Sequence, residues 1–371
     1  MTNAAQVKTS SIPYFKGIDI LRFICATGVI FHHTTSILSN KGYTTDAEFF
    51  HRNSGPFFLD VFFIISGFLI SLILLKEHEI GTFSIKNFYA RRIIRIWPLY
   101  FLIVIAKIIV IPLATEYVIW DIMKTNLIYA CTFSVNFQLL FTLHPDTYSI
   151  LWSICIEEHI YLLLPLFCLI FKNKFKWMGW FFIITGFISW MYFYGIPSTS
   201  GYNMPYFISI SYFYFFGIGM IIAWFSKQNK KVKLLSLPPV QTILLIIIAL
   251  YTFSVIPNTK NLFKILIIYA FSGGYLVWAA TQNNFVIRFT TSLSKYLGNI
   301  SYGMYVTHII VVIPVIKYFK KGDFEFSELL FGWGIPLIAT ILTMALATLL
   351  YYFFERPILN FKKRFSTVSS K

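Results

Sequence analysis

An arginine and a histidine eleven residues apart on a long apolar stretch are the side chains whose types and spacing most directly point to chemistry. Arg22 and His33 fall on nearly the same face of a helix with about 3.6 residues per turn, separated by roughly 16 Å along its axis. They cannot touch, but they can line one passage. Asp19 falls close to that face, whereas His32 points about 80° away from Arg22, so His33 is the preferred working imidazole. With an ordinary pKa of about 6.5, a neutral imidazole is available at cellular pH as general base or nucleophile. The plainer alternative is that Asp19 and Arg22 snorkel to an interface while both histidines are satisfied by neighbouring helices.

Further polar residues enter apolar surroundings, where a charge at mid-helix costs about 2.5–3.5 kcal/mol on insertion scales. Asp60, in FFLDVFFIISGFLI, either orients a histidine, binds a cation or caps its helix, and Ser66 and Gly67 read as permitting close helix approach. Arg92 and Arg95, three apart in YARRIIRIWPLY, are neighbours on a helix surface. They could grip phosphate bidentately or anchor the chain at a cytoplasmic edge. In LWSICIEEHIYLLLPL, Ser153, Glu157 and Tyr161 recur every four residues on one helix face, with Glu158 beside it; two adjacent carboxylates entering a span ask for a cationic partner or a raised pKa. Tyr302, Tyr305 and His308 form a stripe of the same kind, open to hydrogen bonding within a bundle or to substrate contact. Glu355, Arg356 and Pro357 read as an interfacial ion pair and a helix stop.

The elements that must hold these residues are membrane helices. Of 371 residues, 57% are hydrophobic and 12% charged, against about 25% charged in a soluble domain. Such a chain cannot cover itself with polar surface. Apolar windows at 18–40, 57–76, 98–115, 151–171, 177–195, 205–225, 239–256, 262–281, 298–316 and 329–353 are each suited to about 30 Å of hydrocarbon. The expectation is therefore an all-α polytopic bundle of about ten transmembrane helices, with 116–150 as a long external loop carrying an interfacial helix. Residues 1–17 form a cytoplasmic segment, 18–356 the transmembrane domain and 357–371 a cytoplasmic tail. The polar first 17 residues, with no small-residue cleavage site after them, do not make a secretory signal.

Most of the 31 Lys and Arg residues fall on the side of the amino terminus when alternate loops are compared, which argues for both termini cytoplasmic. The net charge of +16 sits in short clusters between apolar runs, so nucleic acid is not the expected partner. Cys25, Cys131, Cys155 and Cys168 show neither metal-type nor disulfide-framework spacing, and no metal site is expected.

Five stretches in order, IDILRFICATGVIFHH, LDVFFIISGFLIS, YARRIIRIWPLY, LWSICIEEHIYLLLPL and LGNISYGMYVTHIIV, with YYFFERP as a weaker sixth, resemble the bacterial membrane acyltransferase family 3, the O-acyltransferases of surface polysaccharides. The resemblance pairs Arg22 with His33 and assigns Arg92 and Arg95 to the acyl donor. It also maps a Ser-x-x-x-Glu-x-x-x-Tyr motif onto Ser153, Glu157 and Tyr161. One departure is His32, where the family usually has an apolar residue. The chain also ends soon after its last expected span, like the short form without an appended extracytoplasmic hydrolase-like domain.

The resemblance implies transfer of an acyl group, acetyl foremost, from acyl-coenzyme A to a hydroxyl of a cell-envelope carbohydrate such as O-antigen, capsule or exopolysaccharide. The setting would be the bacterial cytoplasmic membrane. Acyl-CoA, a glycan or lipid-linked glycan acceptor and membrane lipids are then the partners, and no cofactor is permanently bound. The expected catalytic set is His33, Glu157, Asp60 and Arg22, with Glu157 or Asp60 holding the imidazole in its working tautomer. Arg92, Arg95, Ser153, Tyr161, Glu158 and His308 are expected to bind substrate. The main rival is a proton-coupled transporter of a small anionic or sugar solute, which would favour inverted repeats that the sequence does not display.

Overall fold

The computed structural model describes residues 10–40, 54–114, 120–141, 149–172, 174–198, 203–228, 233–252, 262–321 and 330–370. In a bilayer every backbone N–H and C=O must be satisfied within the protein, which leaves a chain this apolar with helices. Those helices are α1 (Lys16–Asn40), α2 (Ser54–Glu79), α3 (Ile85–Ala114), α4 (Trp120–Cys131), α5 (Val135–Phe141), α6 (Trp152–Phe171), α7 (Phe175–Phe193), α8 (Phe213–Lys227), α9 (Pro238–Thr252), α10 (Leu262–Ala280), α11 (Thr291–Lys321), α12 (Ile335–Leu350) and α13 (Arg356–Phe361). Hydroxyls inside them are satisfied locally: Thr34 donates to the Ile30 carbonyl and Thr307 to the Gly303 carbonyl, both at 2.7 Å.

Among the described residues, seven helical segments are long and apolar enough to cross a membrane: Lys16–Asn40, Ser54–Glu79, Trp152–Phe171, Ser209–Lys227, Phe263–Ala280, Thr291–Phe319 and Gly332–Phe365. The molecule is an all-α membrane helix bundle. The three other apolar windows of the sequence coincide with α3, α7 and the shorter α9. The stretch expected as a loop with one interfacial helix holds two helices, α4 and α5, and it is fastened to the bundle. Asn136 donates to the Phe207 carbonyl at 2.9 Å and Tyr100 to the Ala130 carbonyl at 2.8 Å.

Apolar on all sides, α2 is the most buried of the seven spans and runs through the middle of the bundle. It packs against α1 and α8, while α1 also packs along α11, and α11 along α12. The α2–α8 crossing is close because two glycines face it. A Cβ added at Gly67 would meet the Phe216 carbonyl oxygen, and one added at Gly219 would meet the Ile64 carbonyl oxygen. The outer faces carry exposed apolar residues such as Leu166, Ile170, Ile246, Phe271 and Phe353, as a lipid-facing surface requires.

The two ends of the described chain meet. Strand β1 (Ser10–Ile12) pairs in parallel with β2 (Val368–Ser370), on the face where α1 begins. Arg91 secures the carboxyl-terminal segment there, donating to the Phe365 carbonyl and to Glu77 at 2.8 and 2.9 Å. The chain thus continues past the expected last span as ordered structure. Glu355, within a π-helical turn (Tyr351–Glu355), is buried, and its Oε1 has no hydrogen-bond partner among the described residues. Arg356 lies over the Tyr352 ring instead, and the helix runs on as α13 rather than stopping.

Candidate active site

A cavity of about 480 Å³ opens between α1, α2, α3, α6 and α11, beside the paired ends. The 3.6-residue repeat explains the side chains it collects. Asp19 and Arg22 come from one turn of α1, Arg92 and Arg95 from one turn of α3, Ser153, Glu157 and Tyr161 from one stripe of α6, and Tyr302 and Tyr305 from one stripe of α11. Gly298 lets α11 approach α1 at this level, since a Cβ there would strike the Asp19 carboxyl group.

One region of the wall is strongly cationic. Arg22, Arg92, Arg95, Lys295 and Lys362 all line it, against the carboxylates of Asp19 and Glu157. Arg22 Nη1 lies 3.8 Å from Asp19 Oδ1, and Asp19 Oδ2 accepts a hydrogen bond from Tyr14 at 2.8 Å. Burial, aided by that bond and by the Asp19 charge, holds the Tyr14 hydroxyl well above the ordinary tyrosine range, so it remains a donor to the carboxylate. The Arg92 guanidinium sits 5.6 Å from the Tyr161 ring centroid, a cation–π distance.

The same wall holds a hydroxyl–carboxylate cluster. Glu157 Oε1 accepts from Ser66 at 2.5 Å and from Tyr161, and Ser153 shares a hydrogen bond with Tyr305. Leu59, Phe62 and Leu69 of α2 supply apolar surface around these groups. Beyond Tyr305 the polar chain continues away from the cavity. Its carbonyl lies 2.6 Å from His308 Nδ1, the His308 and His33 ring centroids are 5.2 Å apart, and those of His33 and His32 are 5.3 Å apart.

The structure therefore gathers Arg22, Arg92, Arg95, Ser153, Glu157 and Tyr161 around one cavity, whereas His33, expected to share a passage with Arg22, and His308 are not among its lining residues and follow on from Tyr305. Glu157 is engaged by Ser66 and Tyr161 rather than by an imidazole. Asp60 is buried outside the cavity lining, in electrostatic range of Tyr206, Tyr212, Tyr214 and Tyr269. Glu158 also turns away from the cavity, accepting from Trp97 Nε1 at 3.1 Å. The sequence reading missed Lys295, Lys362, Asn299 and Tyr14, and read Ser66 as packing only. Of these, Ser66 alone carried a signal, a hydroxyl in an otherwise apolar span.

Comparison with known proteins adds a lineage to this geometry. The acyltransferase domain of acyltransferase family 3 matches residues 15–352. A provisionally assigned O-acetyltransferase of Staphylococcus aureus (strain COL) is 26% identical over 386 residues, covering 94% of this chain. The O-acetyltransferase OatA of S. aureus (strain NCTC 8325) is 26% identical over 398 residues, covering 95% of this chain. An uncharacterized protein of Haemophilus influenzae is 33% identical over 134 residues, 34% of this chain. The chain spans 58% of the length of the two staphylococcal relatives. No solved structure matches it. The match to one acyltransferase domain, running from before the first helix through α12, means that this chain belongs to acyltransferase family 3.

Proposed function

We propose that the protein is an O-acyltransferase of the bacterial cytoplasmic membrane, moving an acetyl group from acetyl-CoA to a hydroxyl of a cell-envelope carbohydrate. The observation that carries this reading is the cavity itself, whose wall combines five basic side chains with a hydroxyl–carboxylate cluster. A long donor, polyanionic at one end and reactive at the other, complements that combination of groups. Its phosphates would lie against Arg22, Arg92 and Arg95, with Lys295 and Lys362 adding charge. The pantetheine arm would follow the apolar wall of α2, within the roughly 16 Å of helix axis between Arg22 and His33.

In the transfer step His33 takes the proton of the acceptor hydroxyl as its oxygen attacks the thioester carbonyl. The new C–O bond forms, the C–S bond breaks, and the proton passes to the departing thiolate. Support for acetyl as the group and for an O-linked product comes from the names of the staphylococcal relatives. The cytoplasmic entry rests on the bias of Lys and Arg toward the side of the termini.

The test supplies labelled acetyl-CoA and envelope glycan to membranes containing the protein. Label on the glycan, released by mild base and abolished by His33→Ala without loss of membrane insertion, is the expected result. Solute uptake with no covalent label would overturn the reading in favour of a carrier.

A further inference from the structure

We propose that His308 is the positioning residue that sets the tautomer and direction of the His33 ring. The inference rests on the reading of His33 as the base and goes beyond it, because the orienter expected from the sequence, Glu157 or Asp60, is engaged or buried elsewhere.

His308 is completely buried on α11, where a polar atom without a partner costs on the order of 1–3 kcal/mol. Its Nδ1 lies 2.6 Å from the Tyr305 carbonyl oxygen. A carbonyl can only accept, so Nδ1 carries the hydrogen and Nε2 carries the lone pair. That Nε2 is buried with no hydrogen-bond partner among the described residues. The His33 ring packs beside that of His308, with centroids 5.2 Å apart and planes inclined by 30°. His32 and Lys107 are the other ionisable groups in electrostatic range of His308.

The terminal torsion of histidine is broad, so the His33 ring can turn while the Tyr305 carbonyl keeps His308 fixed. Turned toward Nε2, a His33 N–H gains an acceptor, and the other His33 nitrogen is left with a free lone pair. That nitrogen accepts the acceptor hydroxyl's proton, forming an imidazolium whose second N–H remains bonded to His308. The proton then leaves by the same nitrogen to the thiolate, so His308 binds no substrate and exchanges no proton. Tyr305 lines the cavity and is bonded to Ser153, which ties the carbonyl holding His308 to the wall against which the donor would lie.

The test measures labelled acetyl transfer by the full-length protein in proteoliposomes, with kcat and donor KM determined separately. His308→Phe keeps a flat ring but removes the acceptor, and kcat is expected to fall on the order of 100-fold with donor KM unchanged. His308→Gln, whose amide oxygen can reach the position of Nε2, is expected to recover most of the loss. His308→Met, similar in length but lacking that acceptor, should resemble Phe and repeats the contrast if the Phe variant does not fold. Equal losses in Gln and Met, or wild-type kcat in His308→Phe while His33→Ala is inactive, would overturn the inference. Full activity in His33→Ala would instead bring down the assignment of the base, and this inference with it.

Discussion

At the scale of single residues the cavity is defined by an imbalance of charge. Arg22, Arg92, Arg95, Lys295 and Lys362 line it together with only two carboxylates, Asp19 and Glu157. Like charges gathered in a low-dielectric setting repel strongly, so an anionic ligand relieves a cost already built into the fold. Lys362→Ala is the cleanest probe, because Lys362 lies past α13 and outside the Glu157 cluster. Losing one charge-assisted contact of about 1.5–3 kcal/mol predicts a rise in donor KM of roughly 10- to 100-fold. The value of kcat should hold. An unchanged KM would remove Lys362 from the donor site. Spacing alone marked Arg22, Arg92, Arg95, Ser153, Glu157 and Tyr161, since one helix turn fixes their shared face. It could not mark Lys295 and Lys362, because a lysine flanking an apolar run looks the same whether it anchors a helix or meets a ligand. Glu158 misled for the related reason that adjacent residues on a helix point in different directions, and its partner, Trp97, comes from another helix.

At the scale of elements the crossing of α2 and α8 holds the site in register, since α2 carries Ser66 to Glu157. Gly219 faces backbone, the Ile64 carbonyl, and a backbone atom cannot rotate aside. Gly219→Ala is therefore expected to cost at least about 1–3 kcal/mol by overpacking, read as a lower thermal midpoint of the detergent-solubilised protein together with reduced activity. Gly274→Ala is the control, because its added Cβ meets a side-chain methyl of Ile218 at 3.2 Å. Equal behaviour of the two variants would show that the crossing tolerates separation. Hydropathy located the helices but not their extents. Its windows report the part that meets hydrocarbon, whereas α3 begins at Ile85, thirteen residues before the expected span at 98. That extra length is what carries Arg92 and Arg95 as helix residues to the cavity mouth. In the same way 357–371 reads as a polar tail, yet it contributes most of α13, Lys362 and β2, because a polar stretch can still pack on protein.

At the scale of the whole molecule, the paired ends constrain how many times the chain crosses the membrane. Parallel pairing of β1 with β2 keeps residues 10–12 and 368–370 on one side, whereas seven crossings would leave them on opposite sides. We propose that an odd number of the remaining helices α3, α7 and α9 also cross; all three would make up the ten spans expected from the sequence. Reporters fused at both ends should then lie on the same side, the cytoplasmic one by the charge bias. Acetyl-CoA should support transfer in inside-out vesicles and not in sealed right-side-out vesicles, because Ile12, Tyr14 and Lys362, which belong to or flank those ends, line the cavity. The two measurements are independent, and they fail in different ways. Ends reporting on opposite sides would break the strand pair and, with it, the assembly of Lys362 into the cationic wall. Ends on one side with donor accepted only from the other would leave the fold standing and reverse the direction in which the acyl group travels.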